Sequence, residues 1–250
     1  MSEIPVRDVI QYIASLITPR KTVLVGIDGG AGAGKTTFTR WLAKRIRENR
    51  APVSIVLTDR IYRPVAERWE GPIQDMPIGH DLHWERIRDE VILPLRAGKP
   101  ARFQLYDWVA DRLNAWVEIE ASGVTIIDGV FALRKELAEY YDLRVWFSCP
   151  RAIRASRLLK RGDTSQTEID YWLPMEERYH AVHSPEKSAH LVIDSAAHMA
   201  TEDGIGWLKV VRWSPPGTTQ QGAAVDADKP APLSFDVGLQ DDGRDTENRD

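Results

Sequence analysis

Apolar residues recur at helical spacing near the start of the chain. Within residues 3–17 these positions are Val6, Val9, Ile10, Ile13, Leu16 and Ile17. A repeat of three to four residues predicts an amphipathic helix, and Pro19 ends the pattern. We therefore expect an N-terminal helix within residues 1–19.

Short apolar runs rich in β-branched residues follow. They occupy residues 22–27, 52–58, 124–129, 143–148 and 190–194. Helical patterns separate most of them, for example at 36–49 and 82–98. Buried strands that alternate with helices predict an α/β fold with a mainly parallel sheet and helices on both faces. A further run at 206–213 is typical of an added edge strand.

The composition changes after residue 213. Residues 214–250 are rich in Pro, Gly, Ala, Asp and Gln, and carry eight acidic and three basic residues. Such a segment has little apolar surface to bury, which predicts a disordered acidic tail. Residues 1–213 then form one domain.

Charge and cysteine content limit the partners and the compartment. The formal net charge is −4, and the excess acid lies in the predicted tail, so the remaining chain is nearly neutral. Nucleic-acid binding normally needs a basic face, and a membrane span needs roughly 20 apolar residues. The sequence shows neither, and its single cysteine, Cys149, rules out an internal disulfide. We expect a cytoplasmic protein without a nucleic-acid or membrane partner; the sequence does not indicate an oligomeric state.

A glycine-rich run joins the first predicted strand to a helix. In "VLVGIDGGAGAGKTTFTR" (23–40), Gly29, Gly34, Lys35 and Thr36 fit the pattern G-x-x-x-x-G-K-[ST]. Backbone N–H groups of such a loop converge on phosphate oxygens. The predicted nucleotide-binding residues are Gly29, Gly30, Ala31, Gly32, Ala33, Gly34, Lys35, Thr36 and Thr37.

The motif also assigns roles to two side chains. Lys35 is expected to reach the β- and γ-phosphates, and the Thr36 hydroxyl to bind Mg²⁺. One alternative is a glycine-rich turn that binds nothing. A Rossmann dinucleotide site fits less well, because the third glycine is wrongly spaced and the Lys-Thr pair has no role there.

Two acids follow predicted strands. Asp59 ends "SIVLTD" and Asp128 ends "VTIID". Ligands of open α/β sheets bind beyond the carboxyl ends of the strands, so both acids are expected near the phosphates.

With these motifs, residues 20–195 resemble the uridine kinase family of P-loop kinases. The matching segments are the glycine-rich loop, "DRIY" (59–62), "YDW" (106–108), "IIDGVF" (126–131) and "RAIRASRLLKRGD" (151–163). The resemblance implies a P-loop NTPase fold with a short helical lid, which with the following helix takes in about residues 150–183.

The resemblance also implies site roles. Asp59 would be the general base for the acceptor hydroxyl, Tyr62 would line the acceptor pocket, and Asp128 would lie near Mg²⁺. Carboxylates that cap a turn or helix are the alternatives for both acids. Asp81, His83, Tyr106 and Asp107 fall where the family places acceptor-binding residues, although aromatic residues beside a strand are often core.

Four arginines of the predicted lid share roughly one helix face: Arg151, Arg154, Arg157 and Arg161. We expect Arg157 and Arg161 to act in catalysis by stabilising the transferred group, and Arg151 and Arg154 to lie at the surface. A solvated basic helix, or pairing with Glu176 and Glu177, is the alternative.

The resemblance is weaker on the acceptor side. The lid is short, and Asp111 stands where uridine and cytidine kinases carry a histidine. The sequence predicts an ATP- and Mg²⁺-dependent kinase acting on a hydroxyl of a small molecule, with uridine as the leading acceptor. The alternative is a nucleotide-dependent switch or regulatory P-loop protein without such an acceptor.

Overall fold

A seven-stranded sheet forms the centre of the fold. The computed structural model describes residues 2–18, 21–162, 164–196 and 207–216. Within these, the strands are β1 Ser2–Pro5, β2 Val23–Gly29, β3 Val53–Leu57, β4 Ala101–Asp107, β5 Arg112–Ile119, β6 Val124–Asp128, β7 Leu143–Ser148, β8 Leu191–Asp194 and β9 Trp207–Trp213. The order across the sheet is β1-β9-β8-β7-β2-β6-β3, while β4 and β5 form a separate antiparallel hairpin.

Helices connect these strands. They are α1 Val6–Leu16, α2 Lys35–Glu48, α3 (Trp84–Arg86, the π-helical Ile87–Ile92 and Leu93–Arg96), α4 Lys135–Ala138, α5 Arg151–Arg161, α6 Gln166–His183 and α7 Pro185–Ser188. The five strands from β8 to β3 pair in parallel, which confirms the predicted α/β class with a mainly parallel sheet. No helix of the described residues is long and apolar enough to cross a membrane.

The N-terminal segment differs from the prediction. The helix begins at Val6, because Pro5 has an extended backbone and residues 2–5 pair antiparallel with β9. β9 therefore lies between β1 and β8, so the expectation that 206–213 is an edge strand was wrong. The predicted tail lies outside the described residues from 217 onward.

Side-chain alternation along the strands divides the core between the two faces of the sheet. In β2, Val23, Val25 and Ile27 pack with residues of α1 and α2, whereas Leu24 faces residues of α3 and α6. Successive residues of a strand point to opposite faces, so a strand covered on both sides is expected to be mostly apolar; in β2 the exception is Asp28. All seven β2 residues are buried, which fixes the loop that follows.

Local signals define the two helices of the predicted lid segment. α5 ends at Arg161, and the next residue, Gly162, adopts φ 80°, a conformation that favours glycine. α6 begins with a capping box, in which the Ser165 side chain accepts from the Glu168 N–H and the Glu168 side chain accepts from the Ser165 N–H. Leu158, Ile169 and Leu173 pack between the two helices.

Candidate active site

The glycine-rich loop joins β2 to α2 at the carboxyl edge of the sheet. Lys35, the first residue of α2, is 7% exposed, and its Nζ donates to the carbonyl oxygens of Gly29 (2.7 Å) and Gly30 (3.1 Å). Gly34 precedes the helix with φ 96°. The lysine thus holds its own loop at the positive end of α2, where an anion is favoured.

Glycine is required where the loop packs against its neighbours. A Cβ on Gly29 would lie 2.7 Å from the Phe147 carbonyl oxygen, and one on Gly32 would lie 2.7 Å from that of Arg154. Both residues also have positive φ. The close packing keeps the loop backbone, and with it the N–H groups, in a defined arrangement.

Asp128 is a buried carboxylate at the end of β6. It is 1% exposed, and neither of its oxygens has a hydrogen-bond partner among the described residues. Desolvation raises its pKa, while Lys35 and the nearby hydroxyls of Thr36 and Thr39 lower it. A carboxylate and a threonine hydroxyl are oxygen ligands of the kind Mg²⁺ prefers, so the residues present fit that ion.

The described residues contain no cluster of three or more His, Cys, Asp or Glu side chains that would hold a metal by protein ligands alone.

We expect Asp128→Asn to raise the Mg²⁺ concentration that activity requires, without damaging the fold. The variant removes an unpaired buried charge, so its Tm without metal should equal or exceed that of the wild type. The Mg²⁺ concentration for half-maximal activity should rise about 10- to 100-fold. A magnesium titration of kcat checks this, with the exposed Asp75→Asn as control; an unchanged titration would remove Asp128 from the metal site.

Asp59 follows β3 in the short 3₁₀ turn Thr58–Arg60. Its side chain reaches the solvent of the cleft. Desolvation by the surrounding protein raises the pKa of its carboxyl, and Arg60 and Lys35 act in the opposite direction. Its carbonyl oxygen accepts from the Trp108 Nε1–H at 3.0 Å, which fixes the turn against the β4–β5 hairpin. A carboxylate that is accessible and held in place is suited to orient an acceptor hydroxyl.

One cleft of about 390 Å³ brings together most of the predicted site. Of the residues predicted from sequence, those lining it are Ala31, Gly32, Gly34, Lys35, Thr36, Thr37, Asp59, Tyr62, Asp128, Arg157 and Arg161. A cavity of about 230 Å³ shares Tyr62 and Arg161 with it and adds Trp172, which packs edge-on to Tyr62. The structure thus places an open space beside the phosphate loop on the Tyr62 side.

The other predicted acceptor residues lie away from these two cavities as the described residues define them. Asp81 is buried and accepts from the Trp69 backbone N–H; His83 is half-buried and precedes α3. Tyr106 is buried, and its hydroxyl donates to Asp111 at 2.7 Å.

Asp107 accepts from the backbone N–H groups of Val109 and Ala110 in the hairpin turn. Buried Asp81 and turn-forming Asp107 therefore have partners within the protein. Contact of the acceptor with Asp81, His83, Tyr106 and Asp107 stays a prediction.

The four lid arginines differ in environment. Arg151 is exposed and pairs with Glu177, whereas Arg154 is buried and pairs with Glu176, so a surface position for Arg154 was wrong. Arg157 donates to the Ser195 carbonyl oxygen at 2.8 Å, and Arg161 lines both cavities. Catalytic action by Arg157 and Arg161 stays a prediction.

Sequence reasoning missed Asp28, the sixth residue of β2. It is fully buried, and its carboxylate accepts from the N–H groups of Gly29 (2.6 Å) and Leu133 (2.7 Å) and from the Tyr179 hydroxyl (2.5 Å). Burial raises its pKa to about 6. An acidic residue inside an otherwise apolar strand was the available signal. Asp28 thus ties the first glycine of the loop to the turn after β6, through Leu133, and to α6, through Tyr179.

The raised pKa predicts a pH-dependent stability. The folded state binds the Asp28 proton more tightly than the unfolded state, so this group makes stability fall as pH rises. Asp28→Asn should lower stability, because its amide N–H would oppose the Leu133 N–H. The free energy of unfolding of the wild type should exceed that of the variant, and this difference should shrink by up to about 3 kcal/mol between about pH 4 and 7. Urea unfolding of both proteins checks this; a difference that grows with pH would contradict it.

Arg68 was also missed. Its guanidinium lies 5.6, 5.1 and 5.0 Å from the ring centroids of Tyr62, Tyr106 and Trp108. The three aromatic rings therefore pack around a cation in this structure, on the side of the cleft that carries Asp59. No sequence pattern connected Arg68 to these rings.

Comparison with known proteins identifies the family. The model of the Phosphoribulokinase / Uridine kinase family matches residues 24–202. A uridine kinase from Staphylococcus epidermidis is 28% identical over 191 residues, which cover 69% of this chain and 87% of that protein. A uridine kinase from Borrelia turicatae is 26% identical over 185 residues, covering 70% and 87%.

Solved structures agree in fold. A protein described as a possible uridine kinase from Bacillus stearothermophilus superposes with a TM-score of 0.57 at 24% identity, covering 76% of this chain and 99% of that chain. D-glycerate 3-kinase from Cryptococcus neoformans gives a TM-score of 0.51 at 9% identity, covering 76% and 95%. Since the family model spans well over half of its residues, this chain belongs to the phosphoribulokinase/uridine kinase family.

Proposed function

We propose that this protein is an ATP- and Mg²⁺-dependent kinase that transfers the γ-phosphoryl group to a hydroxyl of a small molecule, with a nucleoside such as uridine as the leading acceptor. One observation carries the proposal: two carboxylates of different character share the cleft with Lys35. Asp128 is buried without a hydrogen-bond partner among the described residues, and Asp59 is accessible. Phosphoryl transfer needs both kinds, one near the metal and one at the attacking oxygen.

Each residue then has a distinct task. The loop N–H groups and Lys35 hold the phosphates, and Thr36 and Asp128 hold Mg²⁺, which neutralises phosphate charge when bound. Asp59 orients the acceptor hydroxyl and accepts its proton as the hydroxyl oxygen bonds to the γ-phosphorus. The bond from that phosphorus to the bridging oxygen breaks, and ADP leaves.

The acceptor proposal rests on the relatives. The uridine kinases at 26–28% identity support a nucleoside, and the space beside Tyr62 and Trp172 offers aromatic surface for a planar base. Asp111 stands in place of the histidine that the resemblance implies, and its carboxylate accepts from the Tyr106 hydroxyl. The acceptor is therefore best sought with a broad panel.

ADP release with Mg-ATP tests the function. Nucleosides, sugars and small hydroxy compounds are added singly to the wild-type protein. The proposal expects release that depends on one acceptor class, with uridine or a related nucleoside giving the highest kcat/KM. Slow release that no acceptor accelerates would favour the nucleotide-dependent switch instead.

A further inference from the structure

A buried ion pair lies directly beneath the phosphate loop. Arg154 of α5 and Glu176 of α6 are 8% and 7% exposed, and Arg154 Nη1 donates to Glu176 Oε2 at 2.5 Å. Charged side chains are rarely this buried unless their remaining donors and acceptors are also used. Here the two side chains also form hydrogen bonds with the phosphate loop.

Both side chains bind Ala31. The Ala31 N–H donates to Glu176 Oε1 at 2.9 Å, and Arg154 Nη1 donates to the Ala31 carbonyl oxygen at 3.2 Å. The peptide groups on both sides of Ala31 are therefore tied to helices far away in the sequence. Because Ala31 donates one hydrogen bond through its N–H and accepts another through its carbonyl oxygen, the orientation of this part of the loop is fixed, which one bond alone would not do.

Gly30, the residue before Ala31, packs closely against the ion pair. A Cβ on Gly30 would lie 2.1 Å from Arg154 Nη1 and 2.8 Å from Glu176 Oε2. The glycine at position 30 thus serves the ion pair as well as the nucleotide site. This gives a reason for a glycine that the G-x-x-x-x-G-K-[ST] pattern leaves unspecified.

A second ion pair on the same two helices provides a contrast. Arg151 and Glu177 lie at 2.7 Å, with side chains 51% and 54% exposed. Each lies on the same helix as its counterpart in the buried pair, yet the described contacts of these two side chains do not include the loop. The two pairs have the same chemistry and differ in burial and in contact with Ala31.

We infer that Arg154 and Glu176 are positioning residues that hold the phosphate loop in its nucleotide-binding conformation before nucleotide arrives. They also connect the loop to the helix that carries Arg157 and Arg161. The inference rests on the proposed function, because it requires nucleotide phosphates at this loop. Preorganisation lowers the ordering cost of binding, so losing the pair should weaken nucleotide affinity specifically.

Binding of Mg-ADP, measured by calorimetry, tests the inference without turnover. Glu176→Ala should raise Kd about 10-fold or more, the effect of losing roughly one strong contact. Glu176→Gln should raise it less, because the amide oxygen still accepts from the Ala31 N–H. Glu177→Gln is the matched control and should stay within about twofold.

Steady-state kinetics separates positioning from general damage. Glu176 also lines the cavity beside Tyr62 and Trp172, so both KM values are measured. For Glu176→Gln, KM for ATP should rise more than KM for the acceptor. The Tm of each variant is measured, and affinities are compared well below the lowest Tm. If Glu176→Ala does not fold, the Mg-ADP affinity of Glu176→Gln, compared with that of Glu177→Gln, decides the test alone.

The possible outcomes distinguish this inference from the function on which it rests. A wild type that does not bind Mg-ADP would overturn both. A wild type that binds, with Glu176→Gln and Glu176→Ala matching Glu177→Gln in affinity, would overturn the positioning role and leave the kinase proposal standing. A lowered Tm of the Glu176 variants with an unchanged Kd for Mg-ADP would likewise show that the Arg154–Glu176 pair is purely structural.

Discussion

Replacing Asp59 with Asn is expected to lower kcat about 10³-fold while leaving ATP affinity nearly intact. Asn keeps the size of the side chain but does not accept the hydroxyl proton. The Asp59 side chain lines the cleft. Its backbone carbonyl oxygen accepts from the Trp108 Nε1–H, a bond that the substitution leaves in place, so the backbone turn should persist. Single-turnover transfer and ATP binding, measured on the same preparation, check this prediction.

Asp75→Asn is the control for this variant, because Asp75 is exposed and does not line the cleft. It should retain wild-type kcat and ATP affinity. If Asp59→Asn turned over at more than about a tenth of the wild-type rate, proton acceptance by Asp59 would be excluded, since general bases contribute about 10²- to 10⁴-fold.

Lys35→Ala is expected to reduce both nucleotide affinity and turnover, with kcat/KM for ATP falling about 10³-fold. The variant removes the cation expected at the β- and γ-phosphates. It also removes the hydrogen bonds from Nζ to the Gly29 and Gly30 carbonyl oxygens, so the loop loses an internal support. Calorimetry with Mg-ADP and steady-state kinetics measure the two effects separately.

Lys44→Ala provides the matched change on the exposed part of α2 and should alter neither quantity. The comparison between Lys35 and Asp59 is decisive for the assigned roles. Lys35→Ala should lose binding and turnover together, whereas Asp59→Asn should lose turnover alone. Equal losses of ATP affinity in both variants would contradict the division of the cleft into a phosphate side and an acceptor side.

The parts of the fold that could be predicted depend on local signals. The apolar runs of the central strands and the glycine pattern at 29–36 are contiguous, so the order of strands, loop and helix follows from the sequence. The strand at residues 2–5 was missed because it has no apolar run of its own and forms by pairing with β9. Its existence depends on a partner about 200 residues away.

In the candidate site, too, features with a local sequence signal could be predicted and contacts between distant residues could not. That Lys35, Thr36 and Asp128 line one cleft was predictable, because each lies at a strand end or in a motif; their roles stay predictions.

The alternative that pairs lid arginines with Glu176 and Glu177 is confirmed for Arg154 and Arg151. The contact of Glu176 with Ala31 could not be predicted, because it joins residues 145 positions apart. Charge spacing along α5 could not tell which arginine would be buried.

Asp107 shows the opposite case. Its bonds to the N–H groups of Val109 and Ala110 are local, and Asp in this relation to a turn is a common capping arrangement. Residue type and spacing could have indicated a turn at Asp107, but the resemblance to the family placed this residue at the acceptor.

The most direct test of the central claim follows the γ-phosphoryl group itself. ATP labelled at the γ-phosphate is incubated with Mg²⁺, uridine and the wild-type protein, and the label is traced by chromatography. We expect label in a phosphorylated acceptor with the wild type, and no such label when Asp59→Asn replaces it. With the acceptor panel in place of uridine, label that appears only in inorganic phosphate would contradict a small-molecule kinase.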